Sequence, residues 1–298
     1  MTKVRDALRL WASAMRLHQW LKNLLIFVPL LVSHRLGTPG YLAEGIAAFV
    51  LFGLCASSAY ILNDLLDLAS DRRHPSKRRR PLAAGLISPR AAAFASLLLL
   101  VSAFGGALWM LPWKFTGAMA TYYLVTVTYS LWLKRLMIVD VVTLAMLYTL
   151  RIIAGTLLFQ LVMTFWMLAF SMFIFLSLAL VKRYGELLGA RNRGETDRPG
   201  DRGYYAGDLG MIASLGAASG YLSVMVLALY IQDPNTAGLY GNPRIIWLAC
   251  PLLLYWISRV WVLAHRGEMN DDPVVFAIRD RVSLMVGGLF GLVFWLAI

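Results

Sequence analysis

Nine times along this 298-residue chain an apolar stretch can be laid out across the roughly 30 Å of hydrocarbon in a bilayer, which takes on the order of 20 helical residues. The stretches read Leu21–His34, Tyr41–Leu62, Pro89–Met110, Trp113–Leu133, Ile138–Gln160, Val162–Val181, Leu209–Ile231, Ile245–Ala264 and Val282–Ile298, the first and last being short. In lipid every backbone N–H and C=O must be satisfied within its own segment, so each stretch is expected to be a helix and the fold an all-α, polytopic bundle of nine transmembrane helices. The mean hydropathy of +0.66 and a charged fraction of 15%, against about 25% in a soluble domain, agree with that reading.

The connections carry the orientation. Lys and Arg crowd the N-terminal segment through Lys22, the stretch from Arg72 to Arg90, Lys134 and Arg135, the stretch from Lys182 to Arg202, and Arg266, Arg279 and Arg281. The opposite connections hold only Arg35, Lys114 and Arg244. Because short cytoplasmic loops keep the cations, the N-terminus is expected in the cytoplasm and the C-terminus outside, in an inner cell membrane. Residues 1–20 are amphipathic and basic, with Leu8, Leu10, Trp11 and Met15, and are expected to lie in the interface as a helix.

The net charge of +12 does not point to nucleic acid, since the cations sit at membrane mouths and not on a soluble module. Cys55 and Cys250 stand inside apolar runs without disulfide or metal spacing, as small core residues do. No linker or internal repeat divides the chain, so residues 1–298 are expected to form one transmembrane domain. Oligomeric state, a homo-oligomer included, is open.

The end of the second stretch is where the chemistry concentrates. It reads NDLLDLASD, Asn63 to Asp71. Residues four apart on a helix drift by only about 40°, so Asn63, Asp67 and Asp71 share a face, with Asp64 on its flank. Asn and Asp oxygens in a row suit a hard cation such as Mg²⁺, which one or two carboxylates hold together with substrate phosphates. A basic run follows at once, Arg72 to Arg80, and Pro75 and Pro81 are expected to turn it back over the acidic face. Metal beside clustered Lys77, Arg78 and Arg80 is what a substrate with several phosphates needs. Polar groups at the end of a span are costly and by default functional.

NDLLDLASD resembles the NDxxDxxxD motif of the UbiA superfamily of intramembrane prenyltransferases, which implies a nine-helix UbiA-like bundle and Mg²⁺ held against a diphosphate by Asn63, Asp67 and Asp71. The stretches RLHQWLKNLLIF, HPSKRRRPLAAG, TYSLWLKRLMIVDVVTLAMLYTLRIIAG, KRYGEL and AIRDRVSL are similar to the decaprenyl-phosphate phosphoribosyltransferase branch. That likeness implies transfer of 5-phosphoribose from phosphoribosyl diphosphate to a polyprenyl phosphate. In the aromatic branch a second acidic motif follows the sixth helix. Here Asp197 and Asp201 have the nominal spacing, but Pro199, Gly200 and Gly203 oppose a continuous helix.

Further site residues follow from these stretches. Gln19, Lys22 and Asn23 precede the first span, Tyr129 and Lys134 end the fourth, and Asp140 and Arg151 lie on nearly one face of the fifth. Lys182, Arg183, Tyr184 and Glu186 end the sixth, and Arg279 and Asp280 introduce the ninth. Snorkelling and topology explain some of these cations, but a deep Arg151 demands a partner or a polar cavity. No strong general base is needed, because a lipid phosphate is already ionised; His18 and His74 are expected to be solvated or packed. The rival readings are a prenyltransferase acting on an aromatic or other small acceptor, and a transporter or scaffold, which would more naturally show broken midmembrane helices and repeats.

Overall fold

The computed structural model describes residues 2–73, 77–194, 202–233, 240–269 and 272–298, and among them there are helices and no strands. The α-helices are α1 (Thr2–Ala14), α2 (Val28–Val32), α3 (Tyr41–Leu66), α4 (Leu68–Arg73), α5 (Pro89–Met110), α6 (Trp113–Leu131), α7 (Val139–Leu158), α8 (Phe165–Asn192), α9 (Leu209–Gln232), α10 (Ala249–His265), α11 (Pro273–Arg279) and α12 (Arg281–Ala297). Six described helices are long and apolar enough to cross a membrane, or seven if α11 and α12, bent by 81° at their junction, make one broken span. The 19-residue α6 and the shorter apolar segment Leu17–Val32 fall outside that count.

Several boundaries differ from those read off the sequence. The N-terminal helix stops at Ala14, and Arg16 adopts a left-handed conformation (φ 52°) before a 3-10 helix, Leu17–Phe27. Gln19 and Trp20 therefore belong to the next element and not to the interfacial helix. The second span runs to Leu66, so Asn63 and Asp64 lie inside the helix. α8 continues past Val181 to Asn192 because its tail is helix-competent and polar, which hydropathy alone does not see.

The described chain forms two compact units, residues 1–133 with 150–162, and residues 134–149 with 163–298. In the first, α3 packs on α5, α6 and the Leu17–Phe27 segment. Small residues allow this closeness: Ser58 and Ser96 exchange hydrogen bonds, with Ser58 Oγ donating to the Ser96 carbonyl at 2.8 Å and Ser96 Oγ to the Ser58 carbonyl at 3.0 Å. Gly155 on α7 lies so close to Ile26 that a Cβ would overlap the Ile26 carbonyl oxygen. α1 closes one end, where Trp11, Ala14 and Met15 join Ile61, Leu82, Ile87 and Ala92. In the second unit α8 packs on α9 and α10, and α10 on α12. Gly216 on α9 faces the Trp261 ring, while Ser177 Oγ donates to the Gly216 carbonyl at 2.7 Å and accepts from Trp261 Nε1 at 3.1 Å.

Gly155→Ala is expected to lower stability by about 1–3 kcal/mol, the usual cost of overpacking a close contact. Gly105→Ala, where nothing lies within 4 Å, should be neutral or slightly stabilising. Thermal unfolding in detergent checks both, and equal midpoints for wild type and Gly155→Ala would contradict the close approach.

Candidate active site

α3 ends at Leu66, yet its hydrogen-bond ladder does not stop there. Asp67, with φ −90° and ψ 4°, donates its N–H to the Asn63 carbonyl at 2.9 Å, and Asp71 in α4 donates to the Asp67 carbonyl at 2.8 Å. The i to i−4 relay thus passes through Asn63, Asp67 and Asp71 and keeps them stacked across the break.

The Asp64 and Asp71 side chains are nearly out of contact with solvent and are matched by guanidinium groups. Asp64 Oδ1 accepts from Arg16 Nη2 at 2.5 Å and from Arg80 Nη1 at 3.1 Å, and the same Arg80 nitrogen reaches Asp71 Oδ2 at 2.6 Å. Arg16 is aimed by its left-handed backbone and rests over the Tyr60 ring at 5.2 Å. Arg80 is aimed by the turn that follows it: the Ala84 N–H bonds to the Arg80 carbonyl at 2.8 Å, Gly85 takes φ 75°, and Leu82 is plugged into the α1–α3–α5 cluster. The basic loop therefore folds onto the acidic row. Lys77 is half-buried there and Arg78 exposed, whereas His74, Pro75 and Ser76 lie outside the described residues, as do Asp197 and Asp201.

The donor set of this row is all oxygen, which fits a hard divalent ion better than a soft one. Asp71 and its neighbour Asp64 converge on one cationic nitrogen, Arg80 Nη1. Among the described residues no three His, Cys, Asp or Glu side chains are gathered tightly enough to hold a metal alone. Mg²⁺ takes one or two protein carboxylates and completes its shell from water and substrate phosphate.

A second polar knot in the same unit surrounds Arg151, whose exposure is 3%. Its Nε donates to Asn23 Oδ1 at 3.2 Å and its Nη2 to the Tyr122 hydroxyl at 2.9 Å, with the Tyr122 ring 4.6 Å and the Phe52 ring 5.5 Å from the guanidinium. Lys22 is buried beside Asn23 in sequence, while Gln19 and Tyr129 are half-buried.

In the second unit the buried Asp140 is the centre of another knot. Arg183 Nη2 lies 2.5 Å from Asp140 Oδ2, the Tyr204 hydroxyl donates to Asp140 Oδ1 at 2.5 Å, and Arg183 also pairs with Glu186. Arg202 approaches Glu186 at 3.7 Å. Tyr204 accepts the N–H of Ile138 at 2.8 Å, which holds this β-branched residue at φ 66°, a conformation costing about 1–3 kcal/mol. Burial and the hydrogen bond to Asp140 push the Tyr204 phenol upward, so it stays a donor throughout the physiological range. Asp140 and Arg183 are thus engaged with each other.

The other residues chosen from sequence fall into separate pairs of the second unit. Lys182 lies 3.5 Å from Asp272, which also accepts from the Tyr148 hydroxyl at 3.0 Å and caps α11. Tyr184 bonds His265 Nδ1 at 2.9 Å. Asp280 caps α12 through the Ser283 N–H at 2.8 Å and takes both Arg259 nitrogens, at 2.7 and 3.1 Å. Arg279 is exposed and Lys134 half-buried. Sequence reasoning missed Arg16, Tyr122, Tyr204, Arg259 and Asp272. Only Arg259 announced itself, as a cation inside an apolar run, and its carboxylate partner stands 21 residues on.

A membrane-embedded helical protein with a row of carboxamide and carboxylate groups at a helix mouth, overlaid by cations, is the class that this fold and site define. The model of the UbiA prenyltransferase family matches residues 26–285, and the chain belongs to that family, whose members are transferases. It is 39% identical over 289 residues to the uncharacterized protein y4nM of Sinorhizobium fredii, covering 96% of this chain and 55% of that one, so it spans about half that relative's length. It is 37% identical over 294 residues to nodulation protein NoeC of Azorhizobium caulinodans, covering 95% and 92%. It is 30% identical over 274 residues to decaprenyl-phosphate phosphoribosyltransferase of Mycobacterium tuberculosis, covering 90% and 87%. A solved UbiA homolog from Archaeoglobus fulgidus, bound to GPP and Mg²⁺, has the same fold, with a TM-score of 0.71 at 16% identity over 97% of this chain and 99% of that one.

Removing one partner of a buried ion pair leaves an uncompensated charge and typically costs about 3–5 kcal/mol. Asp140→Ala should therefore unfold at a much lower temperature than wild type, and Asp140→Leu combined with Arg183→Met should recover a large part of that loss. Thermal unfolding in detergent measures both. A fully stable Asp140→Ala protein that has lost only substrate binding would return Asp140 to the substrate.

Proposed function

We propose that this chain is a Mg²⁺-dependent membrane transferase that moves 5-phosphoribose from phosphoribosyl diphosphate to a polyprenyl phosphate of the decaprenyl type, releasing diphosphate. The observation that carries the reading is Arg80, which brings a loop dense in cations directly onto the acidic row. A donor with a phosphate at one end and a diphosphate at the other needs two groups of cations, whereas a prenyl diphosphate needs one. Similarity to the mycobacterial phosphoribosyltransferase over nine tenths of the chain supports the same choice.

In this reading Asn63, Asp67 and Asp71 hold Mg²⁺ on the diphosphate, and Asp64 orients Arg16 and Arg80. When bound, Mg²⁺ would supply Lewis-acid stabilisation of the charge on the departing diphosphate. Lys77 and Arg78 extend from the loop to phosphate oxygens, with Gln19, Lys22, Asn23, Tyr129 and Arg151 as further contacts in the same unit; in the second unit Lys134, Lys182, Tyr184, Glu186 and Arg279 are the candidates for substrate contact. Asp140, Arg183 and Asp280 act by holding backbone and cations in place. The bond from the anomeric carbon to the diphosphate oxygen breaks and one to the lipid phosphate oxygen forms. The acceptor is already an anion, so no side chain has to remove a proton.

In this reading the nine spans are the six long apolar helices together with the bent pair α11–α12, α6 and Leu17–Val32. With the N-terminus in the cytoplasm, the acidic row faces the side where a water-soluble donor is available. The whole chain acts as one transmembrane domain in an inner membrane, with membrane lipids as surroundings and no nucleic acid as partner.

Purified protein with Mg²⁺ should transfer label from phosphoribosyl diphosphate to polyprenyl phosphate. EDTA or Asp67→Ala should abolish turnover, with the variant still folded. Lipid-linked product formed only from a prenyl diphosphate and an aromatic acid would establish the alternative, isoprenoid transfer.

A further inference from the structure

The ion pairs of the acidic row say more about Arg80 than that it is a phosphate contact, and the inference rests on the metal reading above. Asp64 and Asp71 have side-chain exposures of 4% and 3%. A carboxylate withdrawn from water needs a compensating cation. Arg80 is that cation for both groups, at 3.1 Å and 2.6 Å, and Arg16 is a second one for Asp64 at 2.5 Å. Asp64 and Asp71 thus meet two guanidinium groups without any metal. A divalent ion approaching Asp71 finds its charge already matched and a guanidinium in contact with the oxygen it would bind.

We propose that Arg80 is a resident counter-cation of Asp71, displaced when a divalent ion arrives with its diphosphate, and that Asp64 is the positioning residue that keeps the displaced guanidinium at the site. Two features make the exchange feasible. Arg80 is 28% exposed, and the backbone behind it is fixed by the buried Leu82, so only a side chain has to swing. Arg16 bonds the same Asp64 Oδ1 at 2.5 Å, so Asp64 keeps a cationic partner while Arg80 turns its fork to a phosphate oxygen. The metal alone then binds weakly, because it must displace the guanidinium from Asp71, and metal with diphosphate binds strongly, because the anion gives the displaced guanidinium a new partner. Such coupling is reciprocal between the two ligands.

Mn²⁺ titration of the purified protein, followed by the electron paramagnetic resonance of free Mn²⁺ with and without inorganic diphosphate, tests this. Arg80→Gln should bind Mn²⁺ alone roughly tenfold more tightly than wild type, or better, and diphosphate should enhance that affinity less than it does in wild type. If Arg80→Gln fails to fold, Arg80→Lys carries the test: it keeps the charge on a shorter side chain, which weakens the contacts that one Arg80 nitrogen makes to both carboxylates, so Mn²⁺ affinity should rise by a smaller factor. Unchanged or weaker Mn²⁺ binding in the folded variant overturns the proposal. A wild-type protein that binds no Mn²⁺ even with diphosphate overturns the metal reading itself, and the role of Arg80 with it.

Discussion

A charge buried in a protein that sits in lipid has no water to fall back on, and the arrangement of this molecule follows from meeting that demand side chain by side chain. Asp64 and Asp71 are met by Arg16 and Arg80, Asp140 by Arg183, and Asp280 by Arg259. Arg151 is wrapped by an amide, a phenol and two aromatic faces. Each match fixes a piece of backbone that would otherwise be hard to place. The left-handed Arg16 joins α1 to the segment after it, the strained Ile138 opens α7, and the junction of α11 and α12 bends by 81° at Asp280.

The apolar part of each unit is arranged so that these matches can form. Glycine and serine at helix contacts bring backbones close enough for polar side chains to reach across, as at Gly155 with Ile26 and at Gly216, Ser177 and Trp261. Without hydrophobic driving force between helices in lipid, such close contacts and their hydrogen bonds supply much of the association. The lipid-facing side needs no such care, and α5 accordingly exposes Leu97, Leu98, Val101 and Leu108.

What could be read from the sequence was what depends on local period and composition. The long apolar helices, the stacking of Asn63, Asp67 and Asp71, and the return of the basic loop to the acidic face all follow from spacing and proline placement. The 3-10 path of Leu17–Phe27 did not, because apolar content alone does not distinguish it from an α-helix. The partners of charges were also hidden: Arg16 and Asp64 are 48 residues apart and Tyr204 and Asp140 are 64 apart, distances over which no period operates. The partners of Asp140, Arg183 and Asp280 were hidden for the same reason.

The central claim is that the acidic row carries a divalent ion on the diphosphate of a phosphoribosyl donor. The most direct measurement is the ³¹P hyperfine coupling to Mn²⁺ bound in the purified protein with phosphoribosyl diphosphate, compared with the same experiment on a prenyl diphosphate. The account predicts a ³¹P coupling with the phosphoribosyl donor that disappears in Asp71→Asn. Coupling seen only with the prenyl diphosphate, or with neither, would contradict it.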